Sequence, residues 1–390
     1  MRALVLWMVI GLLAASCAKS RRAPTQVLEV DRPGHDEQKD APLDRADASN
    51  APMQPEPEQG QEPELDEELD PEPQVVPRGE CDEAADFEPL IATEEETCYE
   101  FRAHELSDPS DTTEFIVLNG ESYNQLYYTV PWPADTVATR IGMVLDNEEV
   151  LMHWWMFGLG AGAFPNGTVE HNATGSTMGQ EAQVVGAWSV GGCNVEMPAD
   201  IGLRLPDPDK SLMIQWHHLA DSNQTDGSVI QVCTVPKASR THTAGITLLG
   251  EESPGRRDGI PEGPYSVEGL CGNTTASPIT IFAAMPHMYR IGSSAALEIM
   301  RPSAVETVLD VPFEFEQHAH YAIEPRVDVA PGEALRATCR YLNDTSNRVI
   351  SGQSVYTEIC INFVFSYPAG ALDEAASPSL LGATNTCFDF

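Results

Sequence analysis

The sequence predicts an all-β protein of two consecutive antiparallel β-sandwich domains, jelly-roll-like in type, behind a disordered acidic tail. Three observations carry this expectation. Short β-type runs recur from Thr97 onward, at 115–118, 125–130, 140–145, 212–216, 229–235, 279–283, 296–300, 335–341 and 359–365. Asn-Gly, Pro-Asp, Asp-Gly and Pro-Gly pairs punctuate them at a spacing of roughly 10–20 residues, and long stretches with a helical period are absent. The length of 390 residues also exceeds one ordinary core, because domains hold about 100–200 residues each.

Residues 1–17 read as an export leader. Met1-Arg2 gives a cationic end, and an apolar or small run follows from Ala3 to Ala15. That run is too short to cross a bilayer, which takes about 20 residues, but it suits the apolar core of a signal peptide. Leu13-Ala14-Ala15-Ser16-Cys17 resembles the lipobox of bacterial lipoproteins. The resemblance implies cleavage before Cys17 and acylation of its sulfur. Several acyl chains together anchor durably where one is marginal. The expected location is therefore the bacterial cell envelope, on the outer membrane, with the lipid anchor as the sole membrane contact. An ordinary secretory signal with an incidental cysteine is the alternative.

Charge excludes one class of partner. The chain carries 60 acidic residues against 22 Lys and Arg, a formal charge of −38. Nucleic-acid binding requires clustered cations to neutralise phosphates, so no nucleic-acid partner is expected. Residues 18–80 read as a disordered linker. Between Ala51 and Glu80 there are seven prolines and ten acids but no aromatic residue. Such a segment cannot bury enough apolar surface to offset its ordering entropy, and like charges with proline keep it extended. The folded part then divides at the Gly-, Pro- and charge-rich stretch 249–264, into domains at 81–250 and 251–390.

Nine cysteines minus Cys17 leave eight, an even number that suggests up to four disulfides in an exported chain. None forms a C-x-x-C pair, so thioredoxin-type chemistry and zinc clusters lack support. Four fall in each half: Cys81, Cys98, Cys193 and Cys233, then Cys271, Cys339, Cys360 and Cys387. The five Asn-x-Thr triplets, at Asn166, Asn172, Asn223, Asn273 and Asn343, read as turns in a bacterial-type chain.

The residues that could carry chemistry are histidines on strands, where residues two apart share a face. Gln215 and His217 share one face while His218 points the other way. Met285, His287 and Tyr289 group by the same rule. Met152 and His153 stand side by side at a strand end, and Gln317-His318-Ala319-His320 is a fourth such run.

Five segments in order resemble one family. They are 150–158 (VLMHWWMFG), 186–206 (GAWSVGGCNVEMPADIGLRLP), 212–221 (LMIQWHHLAD), 286–292 (PHMYRIG) and 357–363 (TEICINF). Together they make the stretch from Thr97 to Cys387 similar to the copper type II, ascorbate-dependent monooxygenases, the family of peptidylglycine alpha-hydroxylating and dopamine beta-monooxygenases. The resemblance implies two β-sandwich domains, each bringing one copper site, that face each other across a solvent-filled cleft. One copper would relay an electron supplied by ascorbate, and the other would bind oxygen and hydroxylate a C–H bond of a small-molecule or peptide substrate.

Carried onto this chain, the implied ligands diverge from the family pattern. At the electron-transfer copper a consecutive His-His pair reads Met152-His153 here, and the later histidine is His217. Cuprous copper accepts a thioether readily, so these three could form a softer site. At the oxygen-binding copper the implied positions are His287, Tyr289 and Ile359. Ile359 has no donor atom, and a phenol with an ordinary pKa of about 10 is a poor cuprous ligand. His287 alone survives, with Met285 on its face as a further thioether. The expected cofactors are copper, one per chain or fewer than the family's two, and ascorbate as electron donor if the protein is active. The same resemblance pairs Cys271 with Cys387 and Cys339 with Cys360. Pairing among Cys81, Cys98, Cys193 and Cys233 stays open.

Three functions compete. The first is an envelope-tethered copper monooxygenase with one weakened site. The second keeps the fold as a copper- or ligand-binding lipoprotein without oxygen chemistry. The third is a structural module with no metal. Fold alone does not decide between them, because function lives in the site.

Overall fold

A computed structural model describes residues 75–77, 87–373 apart from 107, 109, 161–163 and 174–181, and 386–388. The expected leader, Cys17, Cys81 and nearly all of the 18–80 linker lie outside the described residues. Among those described, the chain is built from β-strands with two short 3-10 turns, Lys237–Ser239 and Arg256–Asp258. Each β-type run read from the sequence falls in or overlaps a strand.

Two face-to-face packings account for the core. A five-stranded sheet orders Val169–Glu170, Gly120–Thr129, Ser211–Ala220, Leu151–Leu159 and Gln183–Ser189. Its inner residues Leu126, Trp154, Met156, Ile214 and Trp216 pack on Ile141, Met143, Ile230 and Val232 from the opposing sheet. A four-stranded sheet of Gly263–Gly272, Ala334–Asn343, Gly292–Met300 and Val305–Pro312 forms the second layer pair. There Leu297, Ile299, Leu335 and Ala337 bury against Ile279, Ile281, Val327 and Val364. Alternation of apolar with polar residues along these strands is what lets one face enter a core while the other meets water.

The layer facing both smaller sheets is a single eleven-stranded sheet. Strand His242–Glu251 is its seam. It runs parallel to Ile201–Arg204 on one side and antiparallel to Cys360–Tyr367 on the other. The sheet thus joins strands from both sides of the stretch 249–264, and the chain leaves it after Glu251 through a turn containing Arg256–Asp258.

Disulfides staple each half separately. Cys271–Cys387 and Cys339–Cys360 form as the resemblance implied. Cys98 pairs with Cys233 across the neighbouring strands Thr97–Arg102 and Val229–Pro236, which settles part of what was open. Cys193 is also disulfide-bonded. Disulfides persist in oxidising compartments, so the folded part belongs to an exported protein.

Two of the Asn-x-Thr triplets are identical turns. The Asn273 side chain accepts from the Thr275 amide and hydroxyl and donates to the carbonyls of Ser277 and Val329. Asn343 repeats the pattern with Thr345, Asn347 and Ile260. Their side chains are buried and fully used, which is the Asx-turn role of asparagine.

Candidate metal centre

The site grows from the strand pair Ser211–Ala220 and Leu151–Leu159. His217 lies opposite His153, but His218 lies opposite Leu151, so Met152 is the extra residue of a β-bulge. A bulge sets two residues against one and re-aims their side chains. This is the local reason that consecutive residues, Met152 and His153, can serve one site. His153 and His217 meet inside the protein, with Nδ1 atoms 3.3 Å apart and both rings buried. Met152 is half-buried beside them.

On the other side of Ser211–Ala220, register places Tyr123 opposite His217 and Glu121 opposite Leu219, on the same face. His217 Nε2–H donates to Glu121 Oε1 at 2.8 Å. That bond fixes the tautomer: the proton sits on Nε2, and the Nδ1 lone pair faces His153 Nδ1. The Tyr123 ring lies flat on the His217 ring, with centroids 4.0 Å apart and planes 9° apart. Burial pushes both histidines below the ordinary imidazole value; for His153 the neighbouring His217, His287 and His318 add to it, and for His217 the Glu121 carboxylate opposes it. Both rings are therefore neutral at pH 7, the form that binds metal. Burial also lifts the Glu121 carboxyl, but hydrogen bonds from His217, Ser354 and Val355 outweigh this and hold it below its usual value.

This donor set fits copper at the electron-transfer position. Two nitrogens each about 2.0–2.1 Å from one first-row ion in near-tetrahedral geometry stand about 3.3 Å apart, which is the separation found. Among the described residues, no group of three or more His, Cys, Asp and Glu side chains is gathered as a metal site. A third donor has to be of another type, and Met152, which precedes His153 on the bulge, carries the thioether that the resemblance puts forward.

The second set does not fit. His287 is buried at the end of strand Ile279–His287; its Nδ1 shares a 3.2 Å hydrogen bond with Ser189 Oγ, and its Nε2 has no partner. Tyr289 spends its hydroxyl proton on the Gln353 carbonyl at 2.8 Å, and its oxygen lies 3.2 Å from Tyr123 Oη. Burial raises that phenol well above its ordinary value, so a phenolate is out of reach near neutral pH. Ile359 is buried among apolar side chains and offers only its backbone carbonyl, which accepts the Tyr341 hydroxyl at 3.0 Å. Met285 lies in the same apolar core.

The solvent-filled cleft implied by the resemblance is replaced, at these residues, by direct contact. The His153 and His287 rings are 5.4 Å apart, and Trp155 packs edge-on against both His287 and Phe363 at 5.5 and 5.3 Å. Gly191 is part of the reason. It sits at φ 75°, and a Cβ there would lie 2.2 Å from the Glu316 carbonyl oxygen. Its absence lets residues 316–318 close onto the 190–192 turn, where the His318 amide bonds to the Val190 carbonyl. The His318 ring then lies tilted beside His287, with centroids 4.9 Å apart. Glu121, Tyr123 and Ser189 were missed by sequence reasoning, which named His318 but not its place beside His287. The signal for the first two was the alternation Glu121-x-Tyr123-x-Gln125, legible only once its pairing with His217 is known.

Comparison with known proteins agrees with the resemblance. Residues 242–380 match the family model for the copper type II ascorbate-dependent monooxygenase C-terminal domain. Dopamine beta-hydroxylase of Bos taurus is 26% identical over 216 residues, 51% of this chain and 35% of that one. DBH-like monooxygenase protein 1 of Gallus gallus is 24% identical over 212 residues, 50% of this chain and 34% of that one. DBH-like monooxygenase protein 2 of Mus musculus is 23% identical over 265 residues, 62% of this chain and 42% of that one. The chain thus spans between a third and a half of the length of these relatives. Among solved structures, recombinant peptide:N-glycanase F superposes with a TM-score of 0.32 at 8% identity, over 69% of this chain and 95% of that one, too loosely to bear on function. By its sequence matches, the chain is similar to the copper type II ascorbate-dependent monooxygenases, and residues 242–380 match the C-terminal domain of that family.

Proposed function

We propose that this protein is an envelope-tethered member of the family that holds one copper ion, at Met152, His153 and His217, and has lost the oxygen-binding copper. The observation that carries this is the contrast between the two positions. One keeps paired, neutral, buried nitrogens with a carboxylate fixing the tautomer. The other keeps a single histidine beside a committed phenol and an isoleucine. Copper at the first position supplies one-electron exchange between its cuprous and cupric states. The chain's own residues do the rest. Glu121 keeps the proton of His217 on Nε2, Tyr123 fixes the ring plane, and Trp155, stacked on His153 at 5.4 Å, excludes water from that side. A thioether from Met152 biases such a site towards cuprous copper. The lipid on Cys17 and the acidic linker would hold this domain pair off the membrane surface.

An active monooxygenase is the second reading, favoured by the unpartnered Nε2 of His287 within ring contact of His318. Oxygen uptake by the copper-loaded protein with ascorbate separates the two. The proposal expects no substrate-dependent uptake above that of the His287→Ala variant. Substrate-dependent uptake that His287→Ala abolishes would support the enzyme reading instead.

A further inference from the structure

The loop between strands Ala334–Asn343 and Cys360–Tyr367 reaches from the second sandwich onto the residues that hold His217. Ser354 Oγ donates to Glu121 Oε2 at 2.5 Å, and the Val355 amide donates to Glu121 Oε1 at 2.8 Å. The latter is the same oxygen that accepts His217 Nε2–H. One residue earlier, the Gln353 carbonyl accepts the hydroxyls of both Tyr123 and Tyr289. Val355 is fully buried beneath the loop. The far end is clamped by Glu358, whose carboxylate accepts the amides of Tyr289 and Ile291 at 3.0 and 2.9 Å.

Tyr289 is therefore a strut. It stands where the family resemblance places a copper ligand, yet its hydroxyl fastens residues 353–355 to the face that carries Tyr123 and Glu121. From this we infer that residues 353–358, fastened by Tyr289, are a strap that positions His217 through Glu121 and Tyr123, so that the dismantled second position supports the first. The inference rests on copper binding at His153 and His217. Glu121, Ser354 and Tyr289 are positioning residues here, since none touches the ion.

The chemistry is tautomer and orientation control. Without the Glu121 carboxylate, the buried Nε2–H of His217 loses its acceptor, and the ring gains by moving its proton to Nδ1, the atom that faces the ion. Outer hydrogen-bond partners of metal-ligating histidines are typically worth about 10–100-fold in metal affinity. Glu121→Gln is the conservative control: its amide oxygen can still accept from His217 and Val355, and its NH2 can donate to Ser354 Oγ. Tyr289→Phe keeps the ring and removes only the hydroxyl.

The test uses the full folded chain and two readouts. Imidazole nitrogen NMR of the metal-free protein reports the His217 tautomer. Competition against a chromophoric cuprous chelator reports affinity, with the melting temperature taken alongside. Wild type and Glu121→Gln should show the Nε2–H form. Glu121→Ala should shift His217 towards Nδ1–H and bind cuprous copper about 10–100-fold more weakly. Tyr289→Phe should weaken binding by a smaller factor, on the order of threefold to tenfold, and Glu121→Gln should retain most of the affinity. Variants that melt lower yet keep wild-type tautomer and affinity would overturn the strap as a positioning device. A wild type that binds no copper while Glu121→Ala still changes the tautomer would overturn the copper reading and leave the positioning of His217 standing.

Discussion

Glu358 makes stability fall as pH rises through the neutral range. Its side chain is 1% exposed and accepts from backbone amides, with no ion pair among the described residues. Burial pushes the carboxyl from 4.5 up to about 7, against the pull of the Ile291, Tyr289 and Ile359 amides. The folded value lies above the unfolded one, so the native state holds the proton more tightly. The resulting stabilisation is full below about pH 4.5 and lost as pH rises through about 7. At about 1.4 kcal/mol per pKa unit the whole effect is about 3 kcal/mol, of which about 2.5 falls between pH 5 and pH 8. Two other perturbed carboxylates, Glu96 and Asp200, act outside that window. Burial opposes but does not outweigh the Arg140 and Thr139 bonds to Glu96, and Arg326 grips Asp200, so both are lowered to about 2. Their stabilisation is present above about pH 4 and lost only in strong acid. Urea unfolding of wild type and Glu358→Gln at pH 5 and pH 8 isolates the term, because the amide does not titrate. The wild-type minus variant difference should drop by about 2.5 kcal/mol on going to pH 8. Parallel pH dependences for the two proteins would refute the reasoning.

Three further predictions follow from the scaffold. Replacing Cys271 and Cys387 together by Ser opens a crosslink spanning 116 residues, which the chain-entropy treatment values at about 4–5 kcal/mol; denaturant unfolding under non-reducing conditions measures it, and a loss below about 1 kcal/mol would contradict it. Asn343→Ala strips a buried side chain of its bonds to Ile260, Asn347 and Thr345, at about 1–3 kcal/mol for the groups left unpaired. Expression in a glycosylating host should also leave Asn273 and Asn343 unmodified in folded protein, since both side chains are at most 2% exposed; intact mass gives the answer.

The strands were legible because their periodicity is local. Runs such as 212–216 and 279–283 carry alternation or continuous apolar character that needs no partner to be recognised. Met152, His153, His217 and His287 were legible through resemblance, and the structure brings the second and third within 3.3 Å and the last within ring contact. What stayed hidden depends on contacts distant in sequence. Glu121 acquires meaning only from its register against Leu219 and from Ser354, 233 residues away. Tyr289 reads from the sequence as a lost ligand, because its hydroxyl partner is a backbone carbonyl that no side-chain pattern reports. His318 reaches His287 only because Gly191 has no Cβ to meet Glu316. The closed contact between Trp155 and Phe363 is likewise a matter of how the two sandwiches abut, which strand patterns do not encode.

Copper content per chain tests the central claim most directly. Protein loaded with cuprous copper under anaerobic conditions, desalted and analysed for metal, should hold one copper per wild-type chain. His153→Ala and His217→Ala should each lose it, while His287→Ala should keep it. Two coppers per wild-type chain, with one lost on His287→Ala, would contradict the account, as would a wild-type chain that retains none.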